Sequence, residues 1–169
     1  LHERARVGVS YLPQESSVFR RLSVMDNLRV ILEHTGLSRK AQKEKADSLL
    51  EEFRISHLIN SMAAHLSGGE RRRLEIARAL IREPKFVLLD EPFAGIDPLA
   101  VDDIQSLITG LKDKGIGILI SDHNVRETLR ICDRAYLMHE GQVIIEGTPE
   151  AIVADPKARR VYLGEAFSL

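Results

Sequence analysis

The sequence predicts an α/β fold with a mostly parallel sheet and a helical subdomain. Short apolar runs of strand length recur at Val7 to Leu12, Phe86 to Leu89 and Ile116 to Ile120. Amphipathic stretches of helical period separate the later runs, and proline or glycine marks the joints, the pattern of strands and helices alternating around a parallel sheet. Residues 23 to about 65 instead carry helical signals alone.

Taken in order, Val7-Gly8-Val9-Ser10-Tyr11-Leu12 is β-rich and stopped by Pro13, so a strand leads into a loop around Gln14. Ser23 with Asp26 three residues on resembles a helix start, and Asn27 to His34 continues it. Ser38 opens a second helix, in which Ala46, Leu49, Leu50 and Phe53 share one apolar face. A polar, arginine-rich helix over about 69–82 stops before Pro84. Lys85 to Asp90 follows, with Phe86-Val87-Leu88-Leu89 apolar on both faces as a buried parallel strand requires. Asp97-Pro98 supplies an N-cap and a first-turn proline, and Val101, Ile104, Leu107, Ile108 and Leu111 line the helix that Gly115 ends. Ile116 to Ile120 is expected to be another buried strand, with a helix from about Val125 to Ile131 after it. Ala135 to Met138 and Gln142 to Glu146 read as strands joined at Glu140-Gly141, and Thr148-Pro149 and Asp155-Pro156 start two short final helices. The expected division is a helical subdomain over about 23–82, an α/β core over about 83–147 and C-terminal helices over about 148–169.

The 169 residues, 44% of them hydrophobic, suffice for one sizeable core. Lysine and arginine number 24 against 25 acidic residues, a net charge of -1 that gives no global attraction to nucleic acid or anionic lipid. The basic runs Arg20-Arg21, Arg71-Arg72-Arg73 and Arg159-Arg160 are short and lack interleaved aromatics, so no nucleic-acid partner is expected. Cys132 has no second cysteine to pair with and reads as a reduced packing residue. No apolar run approaches the roughly 18 residues of a membrane span, and the charged opening Leu1 to Arg6 is no signal peptide. A cytoplasmic protein without direct membrane insertion is expected. The chain starts without Met and reaches a strand almost at once, which suggests a further N-terminal part.

Phe86-Val87-Leu88-Leu89-Asp90-Glu91 places two carboxylates at the C-terminal end of a strand, where ligand sites form in open α/β sheets. Asp90 there suits a Mg²⁺ ion and Glu91 suits polarisation of an attacking water, although an acidic strand cap would read the same way. Ser67 and Glu70 have capping-box spacing, and Gly68 and Gly69 leave the first helical amides uncovered at the positive dipole end. Such a start holds a phosphate, though a plain glycine-rich cap shares the pattern. His123 follows an apolar strand as Asp90-Glu91 does, whereas His2, His34, His57, His65 and His139 lack such context and read as surface or structural. No His/Cys cluster suggests zinc.

Together these residues resemble the ABC ATPase family. Gln14 looks like the Q-loop glutamine, Leu66-Ser67-Gly68-Gly69-Glu70 like the family signature, and Asp90-Glu91 like the Walker B aspartate and catalytic glutamate. Ala94-Gly95-Ile96-Asp97 looks like the D-loop, and His123 in Ser121-Asp122-His123 like the switch histidine. The resemblance implies a P-loop NTPase-like ABC nucleotide-binding domain using ATP and Mg²⁺, with Glu91 and His123 catalytic and Asp90 and Gln14 at the metal. Gln14, Ser67, Gly68, Gly69, Glu70 and Asp97 are then the nucleotide-binding residues. It also implies a head-to-tail homodimer, in which the signature of one subunit closes over ATP held by the other. The P-loop itself, G-x-x-x-x-G-K-[ST], is absent from this sequence, so an N-terminally truncated domain is expected.

Within the family, Tyr11-Leu12-Pro13-Gln14-Glu15, Ser17 to Val24, Glu91 to Pro98, Asp122 to Thr128 and Val161 to Glu165 are similar to the ATPase subunits of lipopolysaccharide exporters. That implies a peripheral position on the cytoplasmic face of the inner membrane, under two membrane subunits. Phe19 and Arg20 are then candidates for the groove that receives a coupling helix. The alternatives are the ATPase of a branched-chain amino-acid importer and a soluble, non-transport ABC protein.

Overall fold

The computed structural model describes residues 7–164 and Phe167; the charged opening, His2 and Glu165 lie outside the described residues. Two compact units divide the chain between Ser121 and Asp122. In the first, β1 (Val9–Leu12), β2 (Phe86–Asp90) and β3 (Gly117–Ser121) form a parallel sheet in that spatial order. The register sets Tyr11 beside Leu88 and Leu88 beside Leu119, and pairs Asp90 with Ser121 at the C-terminal edge.

Four helices of this unit start at side-chain caps. Ser23 accepts from the Asp26 amide ahead of α1 (Val24–Leu32), and Ser38 from the Ala41 amide ahead of α2 (Arg39–Glu52). Both ends of a capping box form between Ser67 and Glu70 at the start of α3 (Gly68–Leu80). Asp97 accepts from the Leu99 amide, with Pro98 in the first turn of α4 (Pro98–Asp113). Each cap satisfies an otherwise orphaned first-turn amide, which stabilises a helix by about 1 kcal/mol. At the other end of α4, Gly115 has φ +80, a conformation that glycine adopts without steric cost, and it turns the chain towards β3.

The helical layer packs through three apolar faces, of which the sequence marks that of α2. Ala46, Leu49 and Leu50 of α2 and its C-cap Phe53 are buried, as are Val24, Leu28 and Leu32 of α1 and Leu74, Ile76 and Ala77 of α3. Backbone bonds stitch α1 to the segment before α3, with Val24 N donating to Ser61 O and Ala63 N to Leu22 O.

The two faces of the sheet differ. Leu12, Val87 and Leu89 point to the buried face, and there Ser10 Oγ donates to Ala79 O of α3 at 2.8 Å. The opposite face carries Tyr11, Phe86 and Leu119, with Phe86 56% and Leu119 61% exposed. The expectation of strands buried on both faces therefore fails for β2 and β3. Alternation sends every second apolar residue outward, and in this unit that face is left open.

In the second unit, α5 (Val125–Leu129) precedes an antiparallel hairpin of β4 (Ala135–His139) and β5 (Gln142–Gly147). Its two-residue turn, Glu140-Gly141, has both φ angles positive, which suits the right-handed strand twist. Thr148 caps α6 (Pro149–Ala154), and Asp155 caps a single turn, α7 (Pro156–Ala158). Leu129, Leu137, Ile152 and Ala158 form the core here, and Cys132 packs against it half-buried. The sequence expectation carried α5 on to Ile131, but its regular part ends at Leu129.

The asymmetry of the sheet is testable by urea unfolding. Leu89→Ala should cost about 2–5 kcal/mol, the usual range for emptying a packed leucine site. Leu119→Ala, on the open face, should stay within about 0.5 kcal/mol. Equal losses would mean that both faces are packed.

Candidate functional site

The C-terminal edge of the first unit's sheet gathers the acidic pair and the glutamine. Asp90, the last residue of β2, accepts from Ser121 Oγ at 2.6 Å through Oδ1 and from Tyr11 Oη at 3.0 Å through Oδ2. The Ser121 hydroxyl, and after it the Tyr11 hydroxyl, hold the Asp90 carboxyl below its ordinary range, so it is ionised at neutral pH. The same contact raises the pKa of Tyr11. The two donors come from β1 and β3, so Asp90 is oriented by both neighbours of its strand.

Glu91 leaves the strand with φ +42, uncommon for a side-chain-bearing residue, and its amide donates to Ser121 O at 2.7 Å. This turn swings its carboxylate towards the loop after β1, where Gln14 Nε2 donates to Glu91 Oε2 at 2.8 Å. Gln14 and Glu91, far apart in sequence, thus meet at one edge.

A buried ion pair on α3 holds the backbones that carry them. Arg72 Nη1 donates to Glu75 Oε2 at 3.2 Å and to Pro13 O at 3.0 Å, and Nη2 donates to Asp90 O at 3.1 Å. Glu75 Oε1 accepts from Ser16 Oγ at 2.9 Å and from Ser17 N at 2.8 Å. The loop on both sides of Gln14 and the end of β2 are therefore tied to one helix. Sequence reasoning missed this pair because Arg72 sits in a run that looks like solvated basic surface. In fact Arg71 donates to Leu66 O, and Arg73 bonds Asp103 of α4.

At the start of α3, Glu70 Oε2 accepts from Ser67 N at 2.8 Å and Ser67 Oγ at 2.7 Å. The Ser67 hydroxyl, then the Ser67 amide, keep the Glu70 carboxyl below its ordinary range. A carboxyl lowered on folding adds stability above its unfolded pKa of about 4.3, and that share is lost as pH falls through the folded value. The two glycines have a packing role as well. A Cβ on Gly68 would stand 2.8 Å from Gly95 O, and one on Gly69 3.2 Å from the Ala100 Cβ. Asp97, just beyond, uses Oδ1 as the α4 cap, 2.9 Å from the Leu99 amide.

His123 belongs to the second unit, where its Nδ1 lies 3.7 Å from Asp122 Oδ1. Asp122 Oδ1 also accepts from Asn124 N at 2.7 Å.

Among the described residues, no group of three or more His, Cys, Asp or Glu side chains forms a metal cage. Asp90 does offer hard, ionised oxygens, and Gln14 carries an amide oxygen beside Glu91. Such a sparse oxygen set fits Mg²⁺, which binds through one or two protein ligands and completes its shell with water and substrate phosphates.

Comparison with known proteins adds the family context. A family model described as ABC transporter matches residues 1–94, and one described as branched-chain amino acid ATP-binding cassette transporter matches residues 142–168. A probable ABC transporter ATP-binding protein of Azorhizobium caulinodans is 60% identical over all of this chain, which spans 60% of that protein. The lipopolysaccharide export system ATP-binding proteins LptB of Haemophilus influenzae and Escherichia coli are 56% and 58% identical, and the chain spans 70% of each. Among solved structures, cbiO1 from Clostridium perfringens, part of the ABC transporter complex cbiONQ, is 30% identical with a TM-score of 0.83, covering 94% of this chain and 64% of that one. The ADP conformation of MJ1267, an ATP-binding cassette of an ABC transporter, is 32% identical with a TM-score of 0.81, covering 96% of this chain and 71% of its own.

Unfolding in urea tests the buried pair. Arg72→Met should cost about 3–5 kcal/mol by leaving Glu75 buried without its counter-charge. The double variant Arg72→Met/Glu75→Leu should lose clearly less than the two single variants summed. Additive losses would show that the two charges do not support each other.

Proposed function

Because the chain belongs to the ATP-binding family of ABC transporters, we propose that it is part of the ATP-hydrolysing subunit that powers lipopolysaccharide export. The observation that carries the chemistry is the hydrogen bond between Gln14 and Glu91 beside an ionised Asp90, at the edge where α/β sheets bind ligands. Relatives named for lipopolysaccharide export support the cargo.

In this reading Asp90 and Gln14 hold the Mg²⁺ of Mg·ATP, and the bound ion would polarise the γ-phosphate. Glu91 orients and deprotonates the attacking water, with Gln14 holding its carboxylate until nucleotide arrives. His123 contacts the γ-phosphate. Ser67, Gly68, Gly69 and Glu70 present the start of α3 to ATP held by a second copy, and Asp97 serves the D-loop of that homodimer. The functional division follows as a helical subdomain over about 23–82, a catalytic core over about 83–147 and C-terminal helices over about 148–169.

The partners in this reading are two inner-membrane subunits, docked at Phe19 and Arg20 from the cytoplasmic side. Phe19 is 46% exposed on the loop after Gln14, under the Arg78 guanidinium at 5.0 Å, and Arg20 is exposed. Among the described residues no helix is long and apolar enough to cross a membrane. The family match over residues 142–168 favours a second reading, the ATPase of a branched-chain amino-acid importer.

Three measurements test this. The 169-residue chain alone should show no Mg·ATP turnover; turnover that Glu91→Gln abolishes would mean that it builds a complete site. In a protein carrying the P-loop, Glu91→Gln should lower kcat by about 10²–10⁴-fold, the usual contribution of a general base. Phe19→Ala should weaken co-purification with lipopolysaccharide-exporter membrane subunits more than it weakens nucleotide binding. Capture by amino-acid-importer subunits instead would favour the second reading.

A further inference from the structure

Asn27 on α1 is fully buried, and its side chain spends its polar capacity on the loop that carries Phe19. Oδ1 accepts from Phe19 N at 2.8 Å, while Nδ2 donates to Phe19 O at 3.1 Å, to Ser23 O at 2.9 Å and to Leu22 O at 3.5 Å. One carboxamide therefore pairs both backbone groups of a residue eight positions earlier, much as a neighbouring strand would. Asparagine is the shortest side chain with a donor and an acceptor so disposed. The loop is closed on its other side by Arg78, whose Nη1 donates to Ser17 O at 2.6 Å while its guanidinium covers the Phe19 ring.

A residue anchored only for packing would have its side chain inside. Phe19 shows the reverse, with its backbone held by a buried group and its ring half-exposed. Such an arrangement fixes the posture of a presented aromatic, which lowers the ordering cost of docking against it.

We propose that Asn27 is a positioning residue for partner docking, setting Phe19 and Arg20 in the orientation that a helix of a membrane subunit meets. The proposal rests on the reading of Phe19 and Arg20 as the docking groove. Asn27 touches no nucleotide in this scheme and acts through Phe19.

The test compares Asn27→Ala, Phe19→Ala, their double variant and Met25→Ala, a buried apolar truncation on the same helix, for capture by detergent-solubilised membrane subunits below every variant's melting temperature. Asn27→Ala should lose capture by about tenfold or more, Met25→Ala should keep it, and the double variant should be no weaker than Phe19→Ala alone. Loss for Phe19→Ala with normal capture for Asn27→Ala overturns the positioning role and leaves the groove standing. Normal capture for Phe19→Ala overturns the groove, and this proposal with it. Equal loss for Met25→Ala also overturns it, since general destabilisation would then explain the effect. Should Asn27→Ala fail to fold, hydrogen exchange on the unaltered chain decides. A Phe19 amide protected like that of Leu28 supports the clamp, and exchange at the rate of an exposed loop overturns it.

Discussion

The buried Arg72 and Glu75 pair organises the first unit. Two charges removed from water on one turn of α3 are tolerable only when their remaining hydrogen-bonding capacity is met. Here two other elements meet most of it, and only the buried Arg72 Nε is left without a partner. Pro13 and Asp90 both offer their carbonyls to the same guanidinium, and Ser16 and Ser17 close on the carboxylate. Gln14 is one residue beyond Pro13, and Glu91 one residue beyond Asp90. Their side chains meet because their main chains hang from a common point, and the start of α3 shares that reference.

Much of the fold was legible because its signals are local. The caps at Ser23, Ser38, Ser67, Asp97 and Thr148 need only a hydroxyl or carboxylate a few residues from an orphan amide, and all five form. The choice of Gln14 and Glu91 as site residues followed from family resemblance rather than from spacing, and the hydrogen bond between them was not foreseen. What stayed hidden depends on tertiary partners. Tyr11 and Ser121 become donors to Asp90 only through the β1, β2, β3 order and register. Arg72 and Glu75 sit on a charged helix, and nothing in a hydropathy pattern distinguishes a buried arginine from a solvated one. Asn27 read as one more residue continuing the helix that Ser23 starts.

The open sheet face was misjudged for a related reason. A run of four apolar residues says that both sides of a strand favour burial, not that both are buried in a given unit. Val87 and Leu89 meet the helical layer, while Phe86 and Leu119 face outward, and the Phe86 ring lies over Gly117, where an added Cβ would stand 2.2 Å from it.

The close approach of Gly68 to Gly95 gives position 68 the standing of a pleiotropic locus. An alanine allele there would crowd the Gly95 carbonyl, 2.8 Å away, while also altering the surroundings of the first α3 amide. Its phenotype would sum two lesions and could not be assigned to either. At Gly69 the two effects part company, since its neighbour is the Ala100 side chain, and alleles at Ala100 would perturb that packing contact without altering an α3 amide.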